Sequence, residues 1–321
     1  MTSAAWSRLN ERFWPRGERH DVWMILDGGR STRVFETLLE SSFLSSCLYS
    51  GFISRALEAS APYLVQLEYE DRQTKKLLER AWGNNWGVVL RCDARMETLR
   101  GHLRSFLIVR DPKGQRLLFR YYDPRVLRVY LPSCTSEELR MFFGPAEQFW
   151  TEGEAADELL EFGMDGSKLH RFAWPLNGSE RLPVTKAQSG EARSPMRRRP
   201  GMLAVRGEQM ALFSAAAEKQ FEDWMVVHLN KFFAQKCSSL GEERLRELIR
   251  YGIRRASSYR VTIRREVCKY IDVMLVLGRD FDKDPKYSWA KETLDADIDP
   301  AVKGTSLLSA TRAHLRAVAQ F

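Results

Sequence analysis

The sequence predicts an α/β N-terminal domain, a mixed layered sheet with flanking helices, followed by an all-α C-terminal helical domain. Three observations carry that prediction. From Val22 onward, short apolar runs alternate with helix-period segments of roughly 10–15 residues, the pattern of a layered sheet with some parallel strand pairs. Beyond residue 207 apolar residues recur at helical spacing throughout. The chain has 321 residues, past the length of roughly 250–300 at which single cores divide. Residues 177–207 are rich in Gly, Pro, Ser and charge without an apolar period, so the predicted divisions are an α/β domain at 1–176, a basic flexible linker at 177–207 and a helical bundle at 208–321.

The elements follow in order. "VWMILD" from Val22 reads as a buried strand, and "STRVFETLLESSFL" reads as a helix with Ser31 or Thr32 placed to cap it. "CLYSGF" reads as a second strand or turn, and "APYLVQL" as a strand that Pro62 can only begin. "EDRQTKKLLERAW" is helical, "WGVVLRC" a strand, "RMETLRGHLRSFL" helical, and "QRLLFRYYD" a strand launched from the turn "DPKG". "EQFWTEG" and "ELLEFGMDGSKLHRFAWP" predict antiparallel strands joined by "DGS". In the C-terminal part Phe221, Trp224, Met225, His228, Leu229 and Phe232 share one helical face. Leu245, Leu248, Ile249, Gly252, Ile253 and Ala256 share another, and Val267, Tyr270, Ile271, Met274 and Leu275 a third. Leu308, Thr311, Leu315 and Val318 make a weaker fourth.

The formal net charge is +8, and its distribution is uneven. Basic and acidic residues balance at twenty-four each through residue 174, stand at seven against two over 175–207, and at nineteen against sixteen from 208 on. Such an excess suits an acidic protein partner, nucleic acid or an anionic membrane, and charge alone does not choose among them. The five cysteines are isolated and odd in number, which predicts reduced thiols in a cytoplasmic protein. The N-terminus has no apolar signal core and no run of about 18 apolar residues occurs, so neither export by a signal peptide nor membrane insertion is expected.

Motif chemistry is sparse. No Gly-rich loop carries the glycines and Lys of a phosphate cradle, and "LDGGRS" reads as a tight strand-to-helix turn. His and Cys are not paired at metal-ligand spacing, so no metal and no cofactor is expected. Two acidic clusters, Asp280, Asp282, Asp284 and Asp295, Asp297, Asp299, imitate a calcium loop but carry Pro where that loop needs Gly, and read as loop and cap aspartates. His102 with Asp123 as an orienting partner would serve as a general base, but no nucleophile accompanies them. Arg104, Arg120, Asp123 and Arg125 read more simply as an ion-pair network at a strand end. His228 lies on an apolar face, where a satisfied core histidine is the simpler role.

Seven blocks nevertheless occur together: "LDGGR" (Leu26–Arg30), "CLYSG" (Cys47–Gly51), "APYLVQL" (Ala61–Leu67), "WGNNWGVVL" (Trp82–Leu90), "HLRSFL" (His102–Leu107), "FRYYDPRVLRVYLP" (Phe119–Pro132) and "FFGP" (Phe142–Pro145). Their order and spacing resemble the adaptor domain of type VI secretion, the family of the Tap/TEC chaperones, over about residues 20–145. "GIRRASSYRV" and "LGRDFDKDPKYSWAKETL" resemble the helical extension of many of its members. The resemblance implies a non-enzymatic cytoplasmic chaperone whose partners are an effector toxin and the VgrG spike protein. His102, Arg104, Arg120, Asp123, Pro124 and Arg125 would then be a structural or docking signature, and charge arithmetic nominates Arg250, Arg254 and Arg255 as a basic partner-binding surface. Two alternatives stand beside this reading: a nucleic-acid binder using the linker "RRR" and the Arg-rich helix, and an enzyme using His102 and Asp123. The linker lacks interleaved aromatics, so nucleic acid is not the expected partner.

Overall fold

The strand alternation read from the sequence folds into one sheet held between two layers of helices. The computed structural model describes all residues except 16–19, 156, 178–181, 184–202 and 319–321, with Leu182 and Pro183 described by backbone alone. Most of the segment predicted as a basic linker therefore lies outside the described residues. The remainder divides into two compact units, Met1–Phe213 and Ser214–Phe321.

The first unit runs α1 (Ser3–Phe13), β1 (Val22–Asp27), α2 (Thr32–Leu39), β2 (Ser45–Cys47), α3 (Arg55–Ala59), β3 (Pro62–Leu67), α4 (Arg72–Ala81) and β4 (Gly87–Arg91). It continues with α5 (Met96–Arg104), the hairpin β5 (Ile108–Arg110) and β6 (Arg116–Leu118), then α6 (Pro124–Ser133) and α7 (Ser136–Phe143). Strands β7 (Gln148–Glu152), β8 (Glu158–Asp165), β9 (Lys168–Pro175) and β10 (Leu182–Pro183) close the sheet. Its order is β10-β9-β8-β7-β4-β1-β3-β2, and every pairing is antiparallel. Among the described residues the sheet contains none of the expected parallel pairs. The crossovers behind that expectation do exist: β3 and β4 run in the same direction through α4, but β1 lies between them and pairs with both. Likewise β1 and β2 are co-directional with β3 interposed.

All six residues of β1 are buried, as a central strand covered on both faces requires. On one face Trp23, Ile25, Leu64, Val88 and Leu90 pack with Leu103, Leu131 and Phe142 from α5, α6 and α7. On the other, Met24, Leu26, Val65 and Val89 pack with Phe13, Val34 and Leu78 from α1, α2 and α4. At about 1.5–3 kcal/mol for each large apolar side chain buried, these two clusters dominate the unit's stability.

The predicted strand "QRLLFRYYD" is cut short at Leu118, where β6 ends. Asp123 caps α6 by accepting from the Arg125 N–H, and Pro124 occupies the first turn, where its missing N–H costs nothing. Phe119, Tyr121 and Tyr122 are all buried, so the alternation of a half-buried strand is absent. The C-terminal strands form as expected, with β8 and β9 joined at Asp165–Lys168.

Leu203 and Val205 join the first core, and Ala204 bridges to Arg110. Arg206 and Gln209 hydrogen-bond Glu138, the capping-box residue of α7. The division between units falls within α8 (Gly207–Phe232). The second unit is all helical: the remainder of α8, α9 (Ala234–Leu240), α10 (Glu242–Ser258), α11 (Arg264–Leu277), α12 (Ser288–Asp295) and α13 (Lys303–Val318). Its core joins Met225, Leu229, Ile249, Tyr270, Ile271, Met274, Leu294 and Leu307. The three principal apolar faces read from the sequence supply most of it, although Trp224 and Phe232 stay largely exposed. No helix among the described residues is long and apolar enough to cross a membrane.

Candidate functional site

One end of the sheet gathers sequence blocks that are far apart in the chain. Asp27 ends β1 opposite Pro62, which begins β3, and Leu26 pairs with Gly87, which begins β4. "LDGGR", "APYLVQL" and "WGNNWGVVL" therefore meet there by strand register alone, and the ion pair of Arg120 with Asp27 brings "FRYYDPR" against them.

At Gly28 the chain passes so close to the next strand that a Cβ would collide with the carbonyls of Ala59 and Ala61. The Gly28 N–H donates to Ala61 O at 3.0 Å, which fixes the turn. Asp27 then faces inward, 1% exposed. Its carboxylate accepts from the Gly29 N–H at 3.1 Å and from the Arg120 guanidinium. Burial pushes the Asp27 carboxyl above the ordinary aspartate value, while Arg120 and the Gly29 N–H pull it back. Asp123 is bound by Arg125 through Nε at 2.9 Å and Nη2 at 2.6 Å. Arg128, one turn further along α6, donates to Glu152 O and Gly153 O at 2.6 Å each, and Glu152 accepts from the Gly83 N–H. Asp27 and Asp123 are each paired with an arginine, while Arg128 and Glu152 bind backbone groups, so these side chains tie together the loops at the sheet end.

His102 lies elsewhere. It donates from Nε2 to Phe142 O at 2.9 Å and stacks edge-on against Phe106. Gly144, in a left-handed conformation at φ 52°, passes directly over the imidazole, and a Cβ there would lie 2.6 Å from Nε2. "HLRSFL" and "FFGP" thus meet as a packing contact. Burial lowers the His102 pKa and keeps the ring neutral near pH 7. His102 Nε2 and the Asp123 carboxylate bind other partners, and no hydrogen bond joins the two residues drawn from the sequence as a dyad.

Of the predicted arginine network, only Arg125 pairs within its own segment; Arg120 reaches Asp27, and Arg104 makes no side-chain hydrogen bond or ion pair among the described residues. Asp27, Arg128 and Glu152 were not singled out by sequence reasoning. The signal available was the acidic residue preceding "GGR", which a turn reading leaves without a role. Trp86 and Tyr121 are core residues, and Trp82 is half-buried.

A groove of about 730 Å³ opens beside this end, lined by Arg30, Arg33, Glu36, Glu79, Arg80 and Trp86 among others. Its mixed charges do not resemble the apolar lining of small-molecule pockets. In the second unit, Arg255 is taken up by the buried Asp282, which also accepts from Tyr259 OH at 2.9 Å. Arg250 stands 3.7 Å from Glu222 and half exposed, and Arg254 is exposed. The aspartates that imitate a calcium loop include this ion-pair partner and two local caps, Asp284 to the Lys286 N–H and Asp299 to the Ala301 N–H.

Residues 22–141 match the family model described as Domain of unknown function (DUF4123). No curated protein and no solved structure matches the chain.

Proposed function

We propose that the chain is a non-catalytic cytoplasmic adaptor of a type VI secretion system, which holds a toxic effector and helps load it onto the VgrG spike. The matched segment, residues 22–141, contains six of the seven blocks that resemble such adaptors. The observation that supports this role best is the sheet end. Four of the resembling blocks converge there, with Asp27 and Asp123 each neutralised by an arginine, in a form suited to fixing a docking surface. His102 in its packing role fits the same reading.

An adaptor needs a surface for cargo and another for the spike, and two compact units supply separate surfaces. Loading has to be reversible, which suits partly electrostatic interfaces; Arg254 and Arg250 offer charge for one of them, whereas Arg255 is committed to Asp282.

The test is an affinity capture of the tagged chain from its own cell lysate at low and moderate salt, with captured proteins identified by mass spectrometry. A secreted toxin, with or without VgrG, is the expected catch, and His102→Ala should retain it. Capture of nucleic acid alone, or a turnover activity abolished by His102→Ala in a folded protein, would overturn the proposal.

A further inference from the structure

Two helices of the second unit bring together three side chains that spacing along the sequence keeps apart. His228 comes from α8, and Cys268 and Asp272 stand one turn apart on α11. Their ligating atoms all lie within 4.8 Å of one another. His228 Nε2 is 2.9 and 3.2 Å from the two Asp272 oxygens, and Cys268 Sγ is 3.5 Å from His228 Nε2 and 3.9 Å from Asp272 Oδ2.

These separations have a chemical meaning. A tetrahedral zinc ion, with bonds of about 2.0–2.2 Å to N and O and about 2.3 Å to S, sets its ligand atoms about 3.3–3.6 Å apart. The triangle formed by His228, Cys268 and Asp272 matches one face of that tetrahedron to within a few tenths of an ångström. Cys268 and Asp272 share one face of α11, so the helix presents thiol and carboxylate together to the His228 nitrogen.

The imidazole also has aromatic neighbours. Trp224 stacks on it at 5.2 Å with 20° between the planes, and Phe232 covers its other side at 4.9 Å. Both are neighbours one turn away on α8, and with the hydrogen bond to Asp272 they favour the ring orientation that presents Nε2 to α11. The His228 and Asp272 side chains keep 17% and 18% of their exposure, which leaves the remaining coordination position facing solvent.

We propose that His228, Cys268 and Asp272 form a three-ligand site for a borderline-soft divalent ion, zinc foremost, with the fourth position open to water. The nitrogen, sulfur and oxygen donor set is one that zinc accepts and that magnesium or calcium does not favour. Spacing rules miss the site because its histidine and cysteine are 40 positions apart and only the helix pairing joins them. Such an ion would tie α8 to α11. This inference stands independently of the adaptor reading.

Cobalt is the probe, since its spectrum reports thiolate ligation directly. Among the described residues the other metal-like cluster is His20, Asp93 and Glu147, which has no thiol and cannot imitate the signal. The full chain, free of any histidine tag and stripped with chelator, is titrated with Co²⁺ and then Zn²⁺. The expected result is saturation of a near-ultraviolet thiolate-to-cobalt band at one equivalent, with the visible bands of four-coordinate cobalt, and displacement of both by zinc. In Cys268→Ser the near-ultraviolet band should vanish while circular dichroism stays native. Asp272→Asn, which keeps the shape and the thiol, should weaken binding by more than the roughly 10–100-fold that losing an outer partner of a metal ligand costs. Absence of the thiolate band in the wild-type chain at excess cobalt would overturn the proposal, as would its persistence in Cys268→Ser or unchanged affinity in Asp272→Asn.

Discussion

Replacing Arg120 by alanine removes the cation from the buried Asp27 and tests whether the sheet end is locked by its charges. Breaking one side of a buried pair costs about 3–5 kcal/mol. Two features reduce that figure here. Arg120 keeps 39% of its side-chain exposure, so its attraction to Asp27 is screened, and Asp27 retains the Gly29 N–H at 3.1 Å. The expected penalty at pH 7 is therefore about 2 kcal/mol, or roughly a 30-fold increase in the opening equilibrium. Hydrogen exchange of peptides spanning Val22–Asp27 and Pro62–Leu67, followed by mass spectrometry, reads that change where it occurs. The sign with pH is also fixed. Burial already holds the Asp27 carboxyl above its ordinary value, and losing Arg120 raises it further. The variant's native state then binds a proton at higher pH than the unfolded chain, so the penalty shrinks as pH falls through that raised value. Asp27→Asn, which leaves no buried charge and frees Arg120 to solvent, should cost less than about 1 kcal/mol. The double variant should be more stable than Arg120→Ala alone. Exchange in Arg120→Ala indistinguishable from wild type, or a double variant showing the sum of the two penalties, would refute the reasoning.

Gly144→Ala combines a strained left-handed backbone with a collision against His102, and should destabilise by about 3 kcal/mol in a denaturant titration; adding His102→Ala should recover part of that loss. Because burial depresses the His102 pKa, the unfolded chain takes up a proton first, and wild-type stability should fall as pH drops below the ordinary histidine value towards the folded one; His102→Gln should lack that component of the pH profile. Arg255→Ala leaves Asp282 buried without its cation and should cost about 2–3 kcal/mol in thermal melts, whereas the exposed Arg254→Glu should leave the melt unchanged and instead weaken capture of an acidic partner.

What the sequence made legible, and what it did not, follows from the range of each interaction. Helices such as α4 and α10 were readable because an apolar stripe is set by residues three and four apart, whereas α6 was not read, the apolar run before it having been taken as a strand through Asp123. Strand direction was not readable, because the crossover through α4 reports only that β3 and β4 run alike. Whether a third strand slips between them depends on where β1 finds its partners. The candidate site shows the same limit. Arg125 and Asp123 are two residues apart, so their pairing was visible, while Arg120 crosses to Asp27 over 93 positions and only the folded sheet brings them together. Cys268 and Asp272 share a helical face in the sequence, but nothing local places His228 opposite them.

The central position of β1 bears on how the chain is made. A ribosome releases Val22–Asp27 long before either neighbour exists: the first lateral partner is complete only at Leu67 and the second at Arg91. Until then six consecutive side chains destined for burial, and two unpaired edges, remain open to other nascent chains. Pairings of such long sequence separation also form slowly. Fragments ending before Arg91 should therefore aggregate when expressed alone, and translation slowed just ahead of that point should lower the yield of folded protein.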